Sequence, residues 1–128
     1  MIEPLPPGTR LFHVGPQKTG TTALQAAAAT VRDELRAHGV LYPGKTVNHR
    51  LAVAALVGKR IGWKGDDDSV SVPERSRWNA LVDEVRSRPD LRAWFGHEYA
   101  AGAGKKVIQE VYDTFGDDLH VLITLRSV

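Results

Sequence analysis

The sequence predicts an α/β fold, a parallel sheet flanked by helices. Three observations predict it. Short apolar runs alternate with longer segments of helical period, in the order strand, helix, strand, helices, strand, helix, strand. The first apolar run turns through a Gly/Pro corner directly into an alanine-rich segment. The longer segments carry their apolar residues three or four apart, which puts them on one helix face each.

The elements follow in order. Residues 1–9 hold three prolines and a glycine and read as an irregular lead-in. "RLFHV" is a short buried strand bounded by "GP". "TTALQAAAATVRDELRAHG" is a helix from Thr21, with Leu24, Ala27, Ala28, Val31 and Leu35 on one face and Gly39 as a left-handed C-terminal cap. "VLYPG" is a short strand ending in a turn. "NHRLAVAALVGK" is a second helix, with Leu51, Ala54, Ala55 and Gly58 at helical spacing. Residues 59–72 form a surface loop whose triplet Asp66, Asp67 and Asp68 is a solvated face. Pro73 suits the first turn of a third helix, "PERSRWNALVDEVRSR", with Trp78, Leu81, Val82 and Val85 as its core stripe. "LRAWFGHE" is a strand, "GKKVIQEVYDTFG" a helix closed by Gly116, and "LHVLITL" the last strand.

The length fits one domain, and 42% hydrophobic with 25% charged residues is an ordinary globular composition. A net charge of +2 gives no polybasic character, so nucleic acid is not an expected partner. With no cysteine there is no disulfide framework and no thiolate nucleophile or ligand. No histidine pair has metal-site spacing, so no metal is expected. "MIEPLPPGTR" lacks a signal-peptide pattern and no apolar run approaches membrane-spanning length, so the expected location is the cytoplasm. A buried parallel strand is normally followed by a covering helix. The ending "HVLITLRSV" therefore leads us to expect a chain truncated at its C-terminus, a fragment of a longer protein.

The chemistry concentrates in "FHVGPQKTGTTALQ". A strand turning through glycines into a helix N-terminus makes an anion site, because the first helical N–H groups lack internal partners and the dipole is positive there. Gly15 and Gly20 let the backbone approach closely. Thr19, Thr21 and Thr22 add hydroxyls, and Lys18 adds a full charge. Three threonines, two glycines and a lysine in eight residues exceed what a tight turn with a solvated lysine needs. Against the P-loop pattern G-x-x-x-x-G-K-[ST], Gly15, Gly20 and Thr22 match, but Thr21 stands where the lysine belongs. The lysine lies three places earlier, inside the loop, which argues against an ordinary ATPase or kinase.

"GPQKTGTTALQ" resembles the 5′-phosphosulfate loop of sulfotransferases, bacterial type, which use 3′-phosphoadenosine 5′-phosphosulfate (PAPS) on a P-loop NTPase-like α/β fold. The resemblance implies that Gln17, Lys18, Thr19, Gly20, Thr21 and Thr22 bind the 5′-phosphate and sulfuryl group, with Lys18 also catalytic at the bridging oxygen. It implies that Arg126, at the end of "HVLITLRSV", binds the 3′-phosphate, for which a bidentate guanidinium is suited. It implies an acid–base residue at the end of the preceding strand, where "WFGHEYA" offers His97 and Glu98; the bacterial pattern favours Glu98, although the serine usually preceding the acid is replaced by Gly96 or His97. The family's later serine and Gly-rich loop have no counterpart before Val128, and Ser127 is too close to Arg126 to act as that serine. The resemblance thus covers the N-terminal half of such a domain.

The expected function is therefore transfer of a sulfuryl group from PAPS to a hydroxyl or amine of a small-molecule, glycan or lipid acceptor. The segment 47–77 is assigned to the acceptor side. Trp63, Trp78 and Trp94 either fill the core or line that cleft, the core having the better prior. His13 and His120 read as core or edge histidines, and His38 and His49 are isolated. The alternatives are a variant P-loop phosphotransferase and a catalytically silent anion-binding fragment.

Overall fold

The computed structural model describes residues 2–15, 21–62 and 70–125. Four strands form one parallel sheet: β1 (Arg10–Val14), β2 (Val40–Leu41), β3 (Arg92–Phe95) and β4 (Leu119–Ile123), in the spatial order β2-β3-β1-β4. The registers pair Arg10 with Ala93 and Phe12 with Phe95 on one side of β1, and Arg10 with Leu119 and Val14 with Ile123 on the other. The helices are α1 (Thr21–Thr30), α2 (Arg32–Ala37), α3 (Arg50–Val57), α4 (Ser76–Arg86) and α5 (Lys105–Phe115). The α/β class with a helix-flanked parallel sheet is as the alternation predicts.

Alternating residues of β1 and β3 look to opposite faces, as the period of two requires. Phe12, Ala93 and Phe95 face Val53 and Leu56 of α3, Trp78, Leu81, Val82 and Val85 of α4, and Val111 of α5, forming the main core. The predicted α4 stripe is thus entirely buried. Trp78 sits edge-on to both Phe12 and Phe115, with ring centroids 6.4 Å away in each case. On the other face, His13 and Trp94 meet Tyr42 and Gln25. β4 forms one sheet edge, and Val121 and Ile123 there are more than half exposed.

Three local differences from the sequence reading have physical causes. The first helix is broken into α1 and α2 at Val31 (φ −114°, ψ 25°). Thr30 and Val31 are both β-branched, and the Thr30 hydroxyl donates to the Ala27 carbonyl at 2.7 Å, competing with the helical bond. The inward face of α1 is Gln25 and Ala28, while Leu24 and Ala27 are exposed. A glutamine is accepted there because the sheet face below offers imidazole and indole rather than aliphatic carbon. α4 begins at Ser76, three residues beyond Pro73, after a turn in which the Arg77 N–H donates to the Glu74 carbonyl. Gly39 (φ 89°) ends α2 and Gly116 (φ 63°) ends α5, both where expected. Among the described residues no helix is long and apolar enough to cross a membrane.

Truncating the residue on which the main core converges exposes the weight of that core. Trp78→Ala is expected to cost about 3–5 kcal/mol in urea unfolding, the range for a buried large aromatic. A loss under about 1 kcal/mol would mean that the aromatic cluster is not the centre of the fold.

Candidate functional site

The sheet order places a change of crossover direction between β1 and β3. The connection from β1 to β2 runs through α1 and α2, on the face of His13 and Trp94; those from β2 to β3 and from β3 to β4 run through α3, α4 and α5, on the face of Phe12 and Phe95. The first connection travels one way along the sheet and the later two travel the other. Right-handed crossovers must then lie on opposite faces. The helices that follow the adjacent strands β1 and β3 therefore lie on opposite faces, and the carboxyl ends of such strands are the usual ligand position in open α/β sheets.

The predicted site residues distribute around this edge as follows. Thr22 lies exposed in the first turn of α1, which contains no acidic residue. Gln17, Lys18, Thr19, Gly20, the side chain of Thr21 and Arg126 lie outside the described residues, as do Trp63 and the Asp66–Asp68 triplet. The flanks of the loop are described: β1 ends at Val14, and the N–H of Thr124, just past β4, donates to the Val14 carbonyl at 3.3 Å. His97 and Glu98 are the second and third residues after β3, beside the end of β1. His97 is buried and Glu98 is partly exposed at the start of a short 3-10 helix, Glu98–Gly102.

One backbone contact brings this turn against β1. Gly96 has φ +138°, and a Cβ there would lie 2.1 Å from the His13 carbonyl oxygen. Only glycine permits both the dihedral and the approach. Glycine at position 96 is thus a steric requirement.

Hydrogen bonds around the turn fix the protonation of three buried histidines. Nδ1 of His49 accepts from the Gly96 N–H at 3.2 Å, so its proton sits on Nε2, which donates to the Pro43 carbonyl at 2.8 Å. Nδ1 of His13 accepts a long 3.4 Å bond from the Trp94 indole, a group that can only donate, so Nε2 donates to the Thr124 hydroxyl at 3.3 Å. Nδ1 of His97 accepts from the Tyr99 N–H at 3.2 Å, capping the 3-10 helix. The same logic leaves His97 with its proton on Nε2. His97 therefore presents a donor, and its only basic nitrogen is occupied. Burial is the first cause that lowers the pKa of all three rings, taking His49 down to about 4. For His97 the Glu98 carboxylate opposes the shift and Arg50 adds to it. Arg50 Nε donates to the Tyr99 hydroxyl at 3.1 Å, and the Lys59 ammonium lies 4.9 Å from the centre of the Tyr99 ring. Cationic groups thus border the turn.

His13, Gln25, Tyr42, His49, Trp94 and Gly96 close around a space too small for a water molecule. Among the described residues no buried side-chain nitrogen or oxygen lacks a partner. The sequence reading passed over His49 and Tyr42 as site supports. Their signal is faint: a lone histidine before an apolar helix and a tyrosine before a Pro-Gly turn. No family model matches the chain, and no curated protein or solved structure is significantly similar to it.

Two outcomes follow from this geometry. Gly96→Ala is expected to cost about 3 kcal/mol or more in stability, whereas Gly102→Ala, where a Cβ meets nothing within 4 Å, changes it little; equal effects at the two positions would remove the steric argument. Histidines in the unfolded chain take up protons below about pH 6.5, while these folded rings stay neutral. Their stabilisation is complete above that pH and is lost as pH falls, for His49 until about pH 4. His49 alone then contributes on the order of 3 kcal/mol of acid sensitivity, and urea melts from pH 7 to pH 4 in wild type and His49→Gln measure it.

Proposed function

We propose that this chain carries the nucleotide-binding part of a sulfotransferase domain with P-loop-like topology. It moves a sulfuryl group from PAPS to a hydroxyl or amine of a small-molecule, glycan or lipid acceptor. What supports this best is that β1, after which the sequence runs into the K-T-G-T-T segment, pairs in parallel with β3, after which it runs into the His97–Glu98 turn.

The donor set fits a phosphosulfate. The first N–H groups of a ten-residue helix lack internal acceptors, its first turn has no carboxylate, and the preceding loop supplies Lys18 and threonine hydroxyls. The bound nucleotide supplies the sulfuryl group and a phosphate leaving group. Lys18, with the loop amides and the hydroxyls of Thr19, Thr21 and Thr22, holds the anionic end and offsets the charge that grows on the leaving oxygen. Gln17 and Gly20 belong to the same cradle. Arg126 takes the 3′-phosphate. Glu98 accepts the acceptor's proton. Nε2–H of His97 donates to the acceptor oxygen and orients it; this role replaces a base role for His97 because its Nδ1 is engaged by Tyr99.

Calorimetry with 3′-phosphoadenosine 5′-phosphate tests the reading. Lys18→Ala and Arg126→Ala are each expected to weaken binding about tenfold or more, the scale of a charge-assisted bond. Glu98→Gln should keep nucleotide affinity and lose sulfuryl transfer. A preference for ATP with magnesium would turn the assignment to a phosphotransferase, and binding of neither nucleotide would leave a silent fragment.

A further inference from the structure

The turn that carries His97 and Glu98 is held from outside its own strand. His49 precedes α3, is 5% exposed, and gives its side chain no role in capping that helix. Its ring instead bridges two separate segments, the Pro43 carbonyl after β2 and the Gly96 N–H after β3. The ring is itself seated edge-on to Tyr42, centroids 4.6 Å apart. Tyr42 is pinned in turn: its hydroxyl donates to the Val47 carbonyl at 2.9 Å, and the Arg32 guanidinium lies 4.8 Å from the centre of its ring. Arg32 Nε also donates to the Tyr42 carbonyl at 2.9 Å. A continuous strut thus runs from α2 through Tyr42 and His49 to Gly96. On the far side, Gly96 meets the His13 backbone with no room for a Cβ.

We propose that His49 is a positioning residue. Through the Gly96 N–H it sets the turn that carries His97 and Glu98, with the Arg32–Tyr42 contact holding His49 in register. This deepens the sulfotransferase reading and rests on it for the roles of Glu98 and His97. A purely space-filling histidine would not need both ring nitrogens bonded to two different segments. Removing this acceptor leaves the Gly96 N–H buried and unpaired, so the turn should shift rather than remain in place.

The test compares His49→Leu and His49→Gln with wild type by nuclear magnetic resonance. Glutamine offers one acceptor and one donor, as the neutral imidazole does. His49→Leu is expected to speed amide exchange of Gly96 and Tyr99 by about tenfold beyond any global change, and to mix the His97 tautomers, which are Nε2–H in wild type. His49→Gln should restore both signals at least in part. Tyr42→Phe, a milder change that keeps the ring, should shift the same signals in the same direction by less, and it serves if His49→Leu does not fold. Uniform acceleration across the core with an unchanged His97 tautomer, or glutamine behaving as leucine does, would overturn the proposal and leave His49 merely structural. Calorimetry with 3′-phosphoadenosine 5′-phosphate on the same proteins separates the two claims. Wild type that binds no nucleotide sinks the sulfotransferase reading, while the exchange and tautomer data still decide the role of His49.

Discussion

Backbone crowding at the carboxyl ends of β1 and β3 governs the rest of this structure. Gly96 passes so close to His13 that no side chain fits between them. That approach turns the chain out of β3 at once, so the residues that follow rise beside the end of β1 instead of continuing the strand. The cost of such a turn is a buried N–H pointing away from the sheet, and His49 answers it. The steric and polar requirements are thus met by two residues 47 positions apart in sequence.

The polarity of the two sheet faces follows from the same arrangement. Aromatic and aliphatic side chains fill the face under α3, α4 and α5. The face under α1 carries imidazole, indole and amide groups, which need mutual partners at fixed geometry. A dry interior with every buried side-chain polar atom bonded, among the described residues, stiffens that side. Neutral histidines serve well there because each is one donor and one acceptor, and each here joins two segments or closes a turn. Their neutrality has a chemical consequence at His97. With Nδ1 committed to the Tyr99 N–H, the neutral ring carries its proton on Nε2.

Topology supplies what neither face does alone. A strand flanked by β3 on one side and β4 on the other, in an all-parallel sheet, collects three chain segments at one edge. α1 and α5, which follow the neighbouring strands β1 and β3, lie on opposite faces, the topology at which open α/β sheets usually bind ligands. The sheet order also separates this edge from the amino-terminal edge, where the buried Arg10 guanidinium is consumed by the carbonyls of Leu91 and Arg88.

The amino-acid sequence by itself determined the α/β class, the strands of the sheet, the α4 stripe and the glycine ends of α2 and α5. Those features rest on local period and on dihedral freedom, which a chain carries in its own residue order. The K-T-G-T-T segment reads as an anion site from its charge and hydroxyl density, and its Lys18, Thr19 and Gly20 lie outside the described residues. What only the tertiary structure decided was which face of α1 turns inward, why residue 96 is glycine, and what His49 is for. Leu24 reads as core until the inward position proves to be Gln25, set against imidazole and indole. Gly96 and His49 answer to atoms of distant segments, and no pattern within their own neighbourhood encodes a contact made across the fold.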